Sequence, residues 1–328
     1  MLDRTYRVLL ALLFVCAATF AVAPPSHAQS ALTAKRIALV IGNSGYQSIT
    51  ELTNPKNDAT DIAAKLKTLK FEVLLATDAN HAKMSALLDE FKAKVTREHV
   101  ALVFYAGHGV TVNRESFILP IDTPDAIEVD DKGELRGDAA NRAMISMASV
   151  LAPLESAKIG IVFLDACRNS ATDVGLGMTV RMVSLGQPTR SVPVVRGTGS
   201  MEIKPSAYSA GVFRAYATQL NNVASDGAGR NSPFTKALLK HIDTKGIIIQ
   251  ELMIRVRKSV MQETQNMQIP WEEAALNESF AFVPDASTPT RVVPRQITGG
   301  GGGGGGGGAT AAPRPAGGKA PSTVGTGF

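Results

Sequence analysis

Four short and almost uninterrupted apolar runs, at 36–41, 72–76, 100–106 and 159–164, alternate along the chain with segments of helical period. In the first of those segments Ala59, Ile62, Ala63, Leu66 and Leu69 share one face, and in the second Met84, Leu87, Leu88, Phe91 and Val95 do the same. A strand that is apolar at nearly every position has to be covered on both sides, and strand–helix repeats supply the covers. The expected fold class is therefore α/β: a mostly parallel central sheet flanked by helices on both faces. A helix over 145–156, a strand near 212–218, helices over 232–242 and 247–264, and a last strand around 279–282 complete the expectation.

Two of the runs end in reactive residues. One leads into Gly107-His108-Gly109, the other into Asp165-Ala166-Cys167-Arg168. In open parallel sheets ligands bind beyond the carboxyl ends of the strands, and neighbouring parallel strands lie about 4.8 Å apart, so side chains at adjacent ends can meet. A thiol beside an imidazole is a nucleophile with its base. The sequence alone does not make these two strands neighbours. Cys167 also has a plainer reading as a small buried hydrophobe, and His108 as a packed histidine at a strand end.

The ends are set apart from this pattern. Arg4 and Arg7, the apolar stretch 8–22 and the small residues of Ser26-His27-Ala28 describe a signal peptide over 1–28, with export to the periplasm or outside the cell and a mature chain starting near Gln29. An uncleaved signal anchor is the alternative, and the only expected tie to a membrane. Cys16 is one more apolar residue of that stretch, so the exported chain keeps Cys167 alone, an unpaired thiol in an oxidising compartment. Ten glycines from Gly299 to Gly308 lie within a Pro/Gly-rich stretch, 285–328, that reads as a flexible tail. Residues 35–284 remain as one domain. The net charge of +5 comes with no basic stripe interleaved with aromatics, which argues against a nucleic-acid partner.

Ile41-Gly42-Asn43 with Tyr46, Leu52-Thr53-Asn54-Pro55-Lys56-Asn57-Asp58-Ala59, Tyr105-Ala106-Gly107-His108-Gly109, Leu119-Pro120-Ile121-Asp122, Asp165-Ala166-Cys167-Arg168 and Asn231-Ser232-Pro233-Phe234 together resemble the caspase and metacaspase superfamily of cysteine peptidases, in particular its bacterial caspase-like members. The resemblance implies an exported cysteine endopeptidase with a peptide or protein substrate. Cys167 would attack the scissile carbonyl, His108 would carry protons, and the backbone N–H groups of Gly109 and Cys167 would form the oxyanion hole. It further implies that Asp58 and Asp165 line an acidic pocket for Arg or Lys, a partner carboxylates favour through charge-assisted hydrogen bonds. Each has a structural alternative: Asp58 as an acid at a helix N-terminus, Asp165 as a carboxylate bracing a turn.

If basic specificity holds, Arg168, directly after Cys167, and Arg181, Arg190 and Arg196 in the aperiodic stretch 169–211 become candidate self-processing sites, or else solvated charges on a loop. Some metacaspases depend on calcium, but Asp173 and Asp226 are scattered acids rather than a clustered oxygen shell, so neither a metal nor another cofactor is expected. Two other readings stay open. One is a caspase-like binding or scaffold domain with little turnover, and the other is a redox thiol enzyme, which lacks a resolving cysteine. Oligomeric state has no signature in the sequence.

Overall fold

Every residue of the strand Lys35–Gly42 (β1) from Ile37 onward is buried, and its side chains divide between two cores by simple alternation. Ala38 and Val40 enter one core, Ile37, Leu39 and Ile41 the other. The same division runs through His99–Ala106 (β3), with Leu102 and Phe104 on the first side and Ala101, Val103 and Tyr105 on the second. It continues in Ile159–Asp165 (β7), where Ile161 and Phe163 oppose Val162 and Leu164.

The structure is a computed structural model that describes residues 34–112, 115–124, 137–166, 211–219, 222, 224–285 and 288. All of them lie in the unit Met1–Val293; the second unit, Pro294–Phe328, falls outside them. Also outside are the expected signal peptide, Cys167 and the stretch 169–210. No helix among the described residues is long and apolar enough to cross a membrane.

The elements follow in the order β1, Pro55–Thr68 (α1), Glu72–Thr77 (β2), His81–Lys94 (α2), β3, Gly109–Val112 (β4), Glu115–Ile118 (β5), Gly137–Ala143 (α3), Ile145–Ser146 (β6), Met147–Glu155 (α4), β7, Val212–Tyr216 (β8), Pro233–His241 (α5), Ile249–Glu263 (α6) and Trp271–Ala274 (β9). Six strands form one sheet in the order β2-β1-β3-β7-β8-β9, parallel except for the antiparallel edge strand β9. Helices α1, α5 and α6 cover the first core and α2 and α4 the second, as the two-sided apolar runs require.

Strand order reverses between β1 and β3, because β1 is followed by β2 on one side and β3 by β7 on the other. The switch point of the sheet therefore lies at the carboxyl ends of β1 and β3. Gly42 ends β1 at this point. A Cβ there would lie 2.1 Å from the Pro55 carbonyl oxygen and 2.6 Å from the Ala59 Cβ, so its hydrogen atom is what lets the first turn of α1 close onto the strand.

One expectation fails. The segment 279–282 is not a strand. Phe280 and Phe282 alternate as a strand would, but they are irregular chain buried against α6 and the start of β1, with the Arg36 guanidinium donating to Phe282 O and lying over the Phe280 ring. The true last strand, Trp271-Glu272-Glu273-Ala274, is a partly exposed edge, which is why it carries no apolar run. Gly109–Val112 is strand β4 of a second, three-stranded antiparallel sheet, β4-β5-β6.

Gly42→Ala is expected to cost about 1–3 kcal/mol by forcing α1 off the strand end. Urea unfolding of the variant beside wild type measures it, and an unchanged midpoint would refute the close approach.

Candidate active site

His108 follows β3 by two residues and is fully buried, held by its backbone as firmly as by its ring. Its N–H donates to Tyr46 Oη at 2.8 Å, while its carbonyl accepts from Tyr105 Oη at 2.7 Å and from the Leu119 amide at 3.1 Å. The two phenols stand 3.2 Å apart. They also explain Gly107: a Cβ at that position would come within 2.6 Å of Tyr105 Oη and 2.7 Å of Tyr46 Oη.

The imidazole packs on the Tyr46 ring with centroids 4.6 Å apart, and its Nε2 lies 2.7 Å from the Thr50 carbonyl oxygen. A carbonyl can only accept, so Nε2 carries the proton. In the neutral ring, Nδ1 is then the basic nitrogen.

Tyr46 and Thr50 both belong to the loop between β1 and α1, so the position of that loop is the position of the histidine. Asp78, at the end of β2 with φ of 48°, accepts the amides of Ser44 and Gly45 at 2.8 and 2.9 Å and pairs with Lys56 at 2.8 Å. Burial by itself would raise the Asp78 carboxyl, but the Gly45 amide, Lys56 and the Ser44 amide together outweigh it and hold the group below its ordinary value of 3.8. The buried Asn43 amide adds bonds to Ala79 O, Ala79 N and Leu119 O, locking the strand end to the start of α2 and to the chain after β5.

Asp58 and Asp165 come together. Asp58, in the first turn of α1, and Asp165, the last residue of β7, are both fully buried and meet at the start of α5. The Ser232 amide donates to Asp58 Oδ1 at 3.1 Å, and the Ser232 hydroxyl donates to Asp165 Oδ2 in a very short hydrogen bond. Thr235 Oγ1 donates to the same Asp165 oxygen at 2.6 Å. Asp165 thus braces a turn in addition to any role toward a ligand, and Asp58 accepts a hydrogen bond from the residue that opens α5.

The chain before α5 is fastened to α1 at further points. The Asp226 carboxylate accepts the amide of Thr53 at 2.7 Å and that of Asn54. Arg230 makes a two-pronged pair with Asp61, both contacts at 2.9 Å. Among the described residues no group of three or more His, Cys, Asp or Glu side chains could hold a metal ion.

Cys167 itself lies outside the described residues, one peptide bond beyond the buried Ala166. The strand leading to it and the strand leading to His108 are hydrogen-bonded neighbours, with Ala106 opposite Asp165 and the Gly107 amide 3.3 Å from Asp165 O. Gly109 is buried at the first position of β4, opposite Ile118. Sequence reasoning missed the parts played by Thr50, Tyr105 and Asp78. Thr50 acts through its main chain, so its residue type carried no signal, and Tyr105 reads as one more apolar strand residue.

Because the folded-state value of Asp78 is depressed, its contribution to stability is present above pH 3.8 and is lost as pH falls toward the folded value. Asp78→Asn keeps the one oxygen that accepts both amides but removes the Lys56 pair and the titration. Between pH 5 and pH 3 the urea midpoint of wild type should therefore drop more than that of the variant; equal drops would refute the role assigned to Asp78.

The family model described as Caspase domain, peptidase C14, matches residues 35–281. Human mucosa-associated lymphoid tissue lymphoma translocation protein 1 is 25% identical over 194 residues, 56% of this chain, and the mouse homologue is similar to the same extent. The match spans only 21% of the length of either relative. Among solved structures, a protein from Geobacter sulfurreducens has the same fold at a TM-score of 0.53 and 18% identity, covering 79% of this chain and 97% of its own. A mostly parallel six-stranded sheet, a glycine-flanked histidine at the switch point and a family match over residues 35–281 lead to one assignment: the chain belongs to the caspase-domain family of peptidases.

Proposed function

We propose that the protein is an exported cysteine endopeptidase that cleaves peptide bonds after Arg or Lys, using Cys167 as nucleophile and His108 as its proton carrier. The observation that carries this reading is the Nε2 bond of His108 to the Thr50 carbonyl, which leaves Nδ1 as the base at the end of the strand paired with the one leading to Cys167.

In the proposed reaction Nδ1 takes the thiol proton, and the sulfur forms a bond to the scissile carbonyl carbon while the π electrons move to oxygen. The N–H groups of Gly109 and Cys167 would stabilise that oxyanion. Collapse expels the amine, which receives the proton from Nδ1 and leaves a thioester. A water molecule, deprotonated by the same nitrogen, then attacks the thioester and releases the acid and the thiolate. Asp58 and Asp165 would recognise the guanidinium or ammonium of the residue before the cleaved bond. The signal-peptide pattern over 1–28 supports export, and a peptide or protein is the substrate the family implies.

The full burial of His108, Asp58 and Asp165 favours one competing reading, a binding domain with little turnover. Short fluorogenic peptides ending in Arg, Lys or Asp separate the two. Turnover of the Arg and Lys peptides is expected, with loss of activity in Cys167→Ala and a drop of about 10²–10⁴-fold in His108→Ala. Undiminished activity in Cys167→Ala would end the nucleophile assignment. No turnover, with a thiol inert to iodoacetamide in the folded protein, favours the binding domain. Activity is expected to persist in excess chelator; complete loss, restored by calcium, would require a metal site that the reading leaves out.

A further inference from the structure

Resting on the basic specificity proposed above, we infer that Ser232 is the positioning residue for that specificity, one residue that fixes both carboxylates of the acidic pair. Asp58 and Asp165 come from elements far apart in sequence, the first turn of α1 and the end of β7. What they share is Ser232. Its amide takes one oxygen of Asp58 and its hydroxyl takes one oxygen of Asp165. The hydroxyl oxygen also accepts the Thr235 amide at 2.9 Å, so Ser232 caps α5 with the same atom that orients Asp165. All four residues are fully buried.

Two buried carboxylates this close to a common partner repel each other, and burial disfavours the charge on each. An amide, two hydroxyl donors and the N-terminus of a helix act the other way and favour negative charge there. A guanidinium then meets a pair of acceptors already fixed in direction, and little ordering remains to be done on binding. Ser232 does not touch the reacting atoms. It acts through the aspartates, and its effect belongs in recognition of the basic side chain.

The test separates positioning from capping. In the Cys167→Ala protein, binding of agmatine, a free guanidinium probe, is measured by calorimetry. Agmatine binds, Ser232→Ala weakens it about 10-fold or more, and Ser232→Thr, which keeps both the hydroxyl and the amide, recovers most of the affinity. In the active enzyme the same change raises KM for the Arg peptide more than it lowers kcat. A residue that only caps α5 lowers the melting temperature and leaves agmatine affinity unchanged in the protein that is still folded; that result overturns the positioning role while cleavage after Arg or Lys stands. Agmatine that does not bind at all overturns this inference and the acidic-pocket reading together, and leaves the Cys167 nucleophile to its own assay. If Ser232→Ala fails to fold, Thr235→Val removes the second hydroxyl from the same Asp165 oxygen and is read by the same criteria.

Discussion

Pairing of β3 with β7 in parallel register is the constraint on which the site depends. It sets Ala106 opposite Asp165, so the two chains leave the sheet side by side at the same height. Parallel strands demand cover on both faces, which brings α1, α5 and α6 to one side and α2 and α4 to the other. That cover also brings the first turn of α1 and the start of α5 to the rim where β7 ends, and so joins Asp58, Asp165 and Ser232.

Polar groups at this rim are buried to an extent that only mutual satisfaction permits. Tyr46 and Tyr105 hold the backbone of His108, Asp78 holds the loop that carries Tyr46, and Asp226 holds the entry to α1. These bonds join loops rather than regular elements. Directional contacts here do the work that ladders do inside the sheet, which suits a region where backbone must approach a ligand closely.

Much of the framework was legible in the sequence because its cause is local. Apolar runs such as 101–106 and 161–164 announce two-sided burial, and the faces built on Ala59, Ile62 and Leu66, or on Met84, Leu88 and Phe91, announce helices. The edge strand at Trp271 was missed for the converse reason: with one side open it needs no apolar run, and the alternating Phe280 and Phe282 imitated a strand while packing as irregular chain. At the site, His108, Asp58 and Asp165 were visible through family motifs. Their supports were not. Thr50 serves through a carbonyl that any residue has, and Asp78 serves through contacts to amides more than thirty positions away in sequence.

The loop from Asn43 to Asn54 carries no helix or strand, yet it supplies both the ring beneath the imidazole and the oxygen that fixes its tautomer. Segments of this kind open at lower free energy than the strands they adjoin. A single local opening would release Tyr46 and Thr50 from His108 together, leaving the sheet intact. Heat should therefore loosen this histidine some degrees before the sheet melts, and cooling should restore its packing without any refolding of the core.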